Sequence, residues 1–189
     1  KYGERIATLL KSEKIELDPK EVDYTLGAQI KYAKHDLAII DWDGAFLFDP
    51  EGDFDAIIEL LALANLQLLR HRILDRKLDE SLEKMAELVR KQPTKKILFK
   101  ESEIANDLRK IIQRRTDSIN QFQALERDIK LIGDWYSARL YDLTAKKFKL
   151  AEWRNSIKDK LDSLEDIYSI IAENFSLSAQ GKAEWIQIF

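Results

Sequence analysis

"DLAIIDWDGAFLFD", residues 36–49, is the stretch whose reading decides the fold. An apolar run ends at Asp41-Trp42-Asp43-Gly44, and apolar residues resume at Ala45. Asp and Gly tolerate the backbone angles of a tight turn, so the stretch reads as two strands joined by a hairpin, with Trp42 packed on helices. Upstream, "YTLGAQIKYA" (24–33) has the composition of a further strand. Ile6, Leu9 and Leu10 stand at helical spacing within residues 1–14, and Asp18-Pro19 marks a turn. The first quarter is therefore expected to be a small α/β or α+β unit.

The remainder reads as helix. Asp53 is placed as an N-cap with acids in the first turn after it. Ile57, Leu61, Ala64, Leu68, Leu74, Leu78, Leu82, Met85 and Val89 then recur along one pattern, which Gln92-Pro93 ends. Residues 56–69 are apolar nearly all round, which predicts burial on several sides. "KKILFKESE" reads as a short strand or the lead-in to a helix capped at Ser102. A second stripe runs from Ile104 through Ile119 to Ile132, Gly133-Asp134 interrupts it, and Trp135, Leu140 and Leu143 open a third helix. The last stripe, Trp153, Ile157, Leu161, Leu164, Tyr168, Ile171 and Phe175, steps by three and four in a near-heptad seam. A helix over 150–177 would be about 42 Å long.

Composition narrows the function classes. The chain has 189 residues, 34% charged and 45% hydrophobic, which is globular rather than disordered. A net charge of −3 argues against a general nucleic-acid binder. With no cysteine there is neither a disulfide nor a thiolate metal site, and the pattern fits a reducing compartment. Two histidines, His35 and His71, leave little for a histidine metal site or triad. His71 lies among Arg70, Arg72 and Arg76 and reads as part of a solvated or salt-bridged face. "RKQPTKK" with Lys100 reads as a solvated basic connector, and Asp159, Asp162, Glu165 and Asp166 as the wet face of the last helix. The chain begins at Lys1 without Met and stops in "AEWIQIF". Both ends look cut, so an apolar segment is expected beyond Phe189 in a longer protein.

Three resemblances bear on activity. Asp41-Trp42-Asp43-Gly44 after an apolar strand resembles the opening motif of haloacid-dehalogenase-type phosphatases, which implies Asp41 as nucleophile and Asp43 as general acid. "IKLIGDWYSARLYD" (129–142) resembles that family's later acidic motif and implies Asp134 as a magnesium ligand. That fold needs several parallel strands alternating with helices. The sequence between Asp49 and Asp134 offers long helical patterns instead, so the turn reading is preferred.

The C-terminal stretch, with Lys160-Leu161, Leu164, Tyr168 and Ala183-Glu184-Trp185-Ile186, resembles the end of the family required for meiotic nuclear division. Its members include a mitochondrial protein supporting organellar translation. "DLAIIDWDGAFLFD" is similar to that family's strand pair, with Gly44 in the turn, and the resemblance covers roughly residues 36–189. It implies a small α/β head, long helices and a membrane span opening near Glu184, Trp185 and Ile186. The "SLEDIYSIIAENFS" segment (163–176) is also similar to the stalk of CorA-type magnesium transporters, which implies a cytoplasmic cation-channel domain.

The expected fold is α+β, mostly α: a small sheet-bearing head at 1–52, then long antiparallel helices forming a bundle or stalk over 53–189. The expected function is that of a non-catalytic, membrane-anchored scaffold facing the cytoplasm or matrix, without catalytic, cofactor or metal residues. It is expected to self-associate as a homo-oligomer through the Trp153–Phe175 seam and to bind no specific nucleic acid. A CorA-like transporter domain is the alternative and a phosphatase the third reading.

Overall fold

The computed structural model describes residues 2–90 and 134–186, with scattered positions between 113 and 127; side chains are described as far as Ile170, apart from positions 88 and 89. The chain is α+β and mostly α, with a small antiparallel sheet near the N-terminus followed by long helices. In order come α1 (Tyr2–Leu10), α2 (Pro19–Gly27), β1 (Gln29–Ile30), β2 (Leu37–Ile40), β3 (Ala45–Phe48), α3 (Asp55–Arg90), α4 (Trp135–Lys147) and α5 (Leu150–Ile186). The expected strand or helix at "KKILFKESE", the basic connector and most of the Ile104–Ile132 stripe lie outside the described residues.

The DWDG hairpin forms. β2 and β3 pair antiparallel from Leu37↔Phe48 to Ile40↔Ala45, and the Asp41 N–H donates to the Gly44 carbonyl at 2.9 Å, closing the loop over Trp42 and Asp43. Trp42 meets Phe148 edge-on at 5.7 Å but stays 48% exposed, so its packing is one-sided. β1 pairs with the other edge of β2, giving the order β1-β2-β3. Ala38, Ile39 and Ile40 are all buried, and successive strand residues face opposite ways. Both faces of β2 are therefore covered, which explains its unbroken apolar sequence. α2 packs on β2, α1 on β3, and α4 on β1 and β2.

The first strand is shorter than its composition suggests. Residues 19–27 form α2, and only Gln29 and Ile30 pair. Asp18-Pro19 is a helix start rather than a turn: the Asp18 carboxylate accepts from the Lys20 N–H at 2.9 Å, and Pro19 lacks the N–H that a first helical turn leaves unpaired. Capping and the packing of α2 on α1 and β2 outweigh the strand propensity of Val22, Tyr24 and Thr25. A Cβ at Gly3 would lie 2.8 Å from Leu26 Cδ1, so a side chain there would make the end of Leu26 turn aside. α3 starts at Asp55, two residues after the expected cap at Asp53.

The chain divides into two compact units, neither continuous in sequence. The first combines residues 1–71 with 126–152, and the second combines 72–125 with 153–189. The division expected at residue 52 follows the change from strand to helix. The observed grouping places the sheet with α4, which packs on β1 and β2, and with the first half of α3.

In the first unit α3 buries Leu60, Ala64, Gln67, Leu68 and His71. Ile58, Leu66 and Leu69 are 53%, 43% and 52% exposed, so residues 56–69 are not buried all round. His71 corrects the expectation of a solvated face: it is 1% exposed, and its Nδ1 lies 2.7 Å from the Gln67 carbonyl oxygen. It stands four residues after Gln67 and three after Leu68, on the inward stripe, while Arg70 and Arg72 point to solvent. Gln67 is fully buried, and its Oε1 accepts from the Tyr141 hydroxyl of α4. Tyr141→Phe should cost about 1–3 kcal/mol in chemical denaturation, because it strands a buried acceptor.

In the second unit Leu74, Leu78 and Met85 of α3 meet Ile157, Leu161 and Leu164 of α5 in one cluster, with Leu82, Ile119 and Ile167 packed against it. Polar contacts flank it. Lys160 Nζ lies 2.7 Å from both Asp75 and Asp79, and Ser156 Oγ donates to Asp75 at 3.0 Å. Burial opposes the Lys160 charge, but the two carboxylates outweigh it and raise the ammonium's pKa.

Candidate functional site

Two features of the first unit carry chemistry. The first is a cavity of about 550 Å³ beside the N-terminus of α4. Local hydrogen bonds build its walls. The Asp36 carboxylate accepts from the Tyr32 N–H at 2.8 Å and the Ala33 N–H at 2.7 Å, which folds the β1–β2 loop back and positions Tyr32. Asp49 Oδ1 accepts from the Glu51 and Gly52 N–H groups at 2.6 and 3.1 Å, shaping the turn after β3, where Gly52 takes a φ of 73°. Asp134 caps α4 by accepting from the Ser137 N–H at 2.8 Å, and the helix presents Trp135 and Tyr136 at its first turn.

Three rings result, grouped within a few ångströms. Tyr32 lies 5.8 Å from Trp135 and 5.3 Å from Tyr136, and Trp135 lies 6.4 Å from Tyr136 with the planes at 84°. Tyr32 and Trp135 are 65% and 57% exposed, so their rings remain open to solvent. Around them stand Asp36, Asp49, Glu51, Asp53 and Asp134, and the described lining contains no basic side chain. Burial, and then the charges of Asp36 and Asp49, push the Tyr136 hydroxyl above its ordinary pKa. Arg139, one turn along α4, sets its guanidinium 5.3 Å from the Trp135 ring centre.

The second feature contains Asp41. Its carboxylate is 4% exposed and held by two lysines, Lys11 Nζ at 3.0 Å from Oδ2 and Lys147 Nζ at 3.1 Å from Oδ1. Lys11 also meets Glu21 at 2.7 Å, and Lys147 sits 4.0 Å from the Tyr24 ring centre. The four charges balance. Burial would raise the Asp41 pKa, but the hydrogen bonds from Lys11 and Lys147 outweigh it and hold the carboxyl below its ordinary value. Glu21, then Asp41 against the opposing effect of burial, raises Lys11.

The residues singled out in the sequence fall in different places. Asp41 is not merely a turn residue: it ties the hairpin to α1 and α4. Asp43 is exposed at the loop, and Asp134 is a helix cap. Among the described residues no group of three acidic or histidine side chains could hold a metal ion. Of the seam, Ile157, Leu161 and Leu164 are buried by this chain's own α3, so a second copy does not have them open to it; Trp153 is half-buried and Tyr168 is 36% exposed. Ile167 takes the inward place beside Tyr168, since the helix continues at 3.6 residues per turn without following the strict heptad. The backbone of α5 reaches Ile186, whereas the side chains of Ile171, Phe175, Glu184, Trp185 and Ile186 lie outside the described residues. Among the described residues no helix is long and apolar enough to cross a membrane.

Sequence reasoning did not find the ring cavity. Its parts come from the β1–β2 loop, the turn after β3 and the start of α4, and the available local signals were "DWY" at 134–136 and the acids at 49, 51 and 53.

Residues 1–55 match the family described as "Uncharacterized protein MJ0711, N-terminal domain", a stretch that ends where α3 begins. Over 171 residues, 90% of this chain, the sequence is 29% identical to "Uncharacterized protein MJ0711" of Methanocaldococcus jannaschii. The chain spans about half of that curated relative, 51% of its length. No solved structure matches the chain.

Proposed function

We propose that the chain is a non-catalytic assembly domain that self-associates through helix faces and is tethered to a membrane in the full protein. The observation that carries self-association is the exposed apolar stripe on α3. Ile58, Ala62, Leu66 and Leu69 follow one another by four, four and three residues, and all are exposed. That spacing is the one helices use to pack against helices. Leaving such a stripe in water forfeits about 25 cal/mol per Å² of apolar area that a second copy would cover. The scaffold reading also draws on Asp41, whose two oxygens are engaged by lysines rather than open to a substrate. Membrane tethering rests on the resemblance of residues 36–189 to the meiotic nuclear division family.

Light scattering across a concentration series tests the association. The expected result is a mass above that of one chain at high micromolar concentration, falling to one chain in a Leu66→Glu, Leu69→Glu double variant. A strict monomer in the unaltered protein would overturn the proposal. Tethering is tested by fractionating the full-length protein with and without membranes; recovery in the supernatant would remove that part.

A further inference from the structure

The cavity beside Trp135 contributes neither to the Asp41 cluster nor to the α3 stripe, and its chemistry is specific. We propose that it binds a small organic polycation of the linear polyamine class. One ammonium group lies against the Tyr32, Trp135 and Tyr136 rings, and the remainder of the chain runs along Asp49, Glu51 and Asp53.

The rings carry the argument. Their centres lie 5.3 to 6.4 Å apart with planes inclined at 38 to 84°, so the walls face several directions and offer π-faces and edges to one guest. A cation within about 6 Å of such a ring is attracted by its quadrupole, and several rings around one ammonium add their effects. The site already exerts this attraction, because Arg139 places its guanidinium over Trp135. The lining itself adds carboxylates and, Arg139 over Trp135 apart, no described basic side chain. These carboxylates are dispersed along the rim and no three converge as a metal needs. An extended guest whose charges are separated by methylenes fits both facts: its charges meet separate carboxylates while its methylenes meet ring faces. A cavity of about 550 Å³ is in the range of small-molecule sites. The hydrogen bonds of Asp36 and Asp49 to their own loops fix the walls before a ligand arrives, which lowers the ordering cost of binding.

Calorimetric titration of the 189-residue chain with spermidine, at low ionic strength and neutral pH, is the test. Saturable binding of one spermidine per chain is expected. Tyr32→Ala should weaken it about tenfold, whereas Tyr32→Phe, which keeps the ring, should stay within about threefold. Tyr32 is 65% exposed, so both variants should melt with the unaltered protein, which separates a lost wall from a lost fold. Magnesium chloride at equal concentration should displace little spermidine. The proposal is overturned if millimolar spermidine gives no saturable heat, if Tyr32→Ala binds as tightly as the unaltered chain, or if magnesium displaces spermidine mole for mole. The last two outcomes would reduce the site to an acidic surface. None of these readouts depends on self-association.

Discussion

Asp41→Ala should destabilise the protein by about 3–5 kcal/mol, the range for removing one partner of a buried ion pair. The loss is large because Asp41 is 4% exposed and the Lys147 side chain 10% exposed, so the variant leaves a cation away from water without its carboxylate. Lys11 keeps Glu21 and is less affected. Against a total stability of about 5–15 kcal/mol, the change should be plain in urea denaturation followed by circular dichroism. Asp43→Ala, at an exposed loop position, should stay within about 0.5 kcal/mol. Equal effects at the two positions would refute the clamp. Magnesium-dependent hydrolysis of a phosphate monoester that disappears in both Asp41→Asn and Asp43→Asn would instead restore the phosphatase reading.

The same cluster sets an acid limit. Asp41 titrates below its ordinary value in the folded protein, so its contribution is fully present above the unfolded carboxyl pKa of about 3.9 and is lost as pH falls through the folded value. Lys11 is raised, so its contribution holds below its ordinary 10.5 and is lost as pH rises through the folded value. Stability of the unaltered protein should therefore fall below about pH 4, and Asp41→Asn should flatten that part of the curve. An unchanged acid slope in Asp41→Asn would show that other carboxylates govern it.

Leu164→Ala should cost about 2–5 kcal/mol, because Leu164 is 1% exposed among Leu74, Leu78, Met85 and Ile157 and its truncation leaves a cavity between α3 and α5. Leu164→Asp should unfold the second unit, since a carboxylate there has no partner in the apolar cluster. Tyr168→Ala, four residues on at a position 36% exposed, should cost less than Leu164→Ala. Thermal melts of the three variants make the comparison. A Tyr168→Ala loss that matches that of Leu164→Ala and grows with protein concentration would return the association surface to α5.

The relation between sequence and structure differs from element to element. The hairpin at 36–49 was legible because turn chemistry is local: Asp41-Trp42-Asp43-Gly44 closes on itself with one backbone hydrogen bond. The α5 stripe was legible through Leu164 because periodicity records which side is inward. Beyond Leu164 the place against α3 passes to Ile167 rather than Tyr168, where 3.5 and 3.6 residues per turn diverge. The strand expected over 24–33 loses its first residues to α2, because side-chain propensity is weaker than a cap supported by packing.

By itself, the sequence determined a mostly helical α+β chain, the hairpin and the inward stripes from Leu74 to Met85 on α3 and from Ile157 to Leu164 on α5, since each follows from residues within a few positions of one another. Only the tertiary structure decided that Asp41 is a buried partner of two lysines, one of them 106 residues away, and that His71 faces inward. It alone gathered Tyr32, Asp49 and Trp135 around one cavity. The physical reason is the same in each case: burial and electrostatic environment are set by neighbours in space, and a single sequence records only neighbours along the chain.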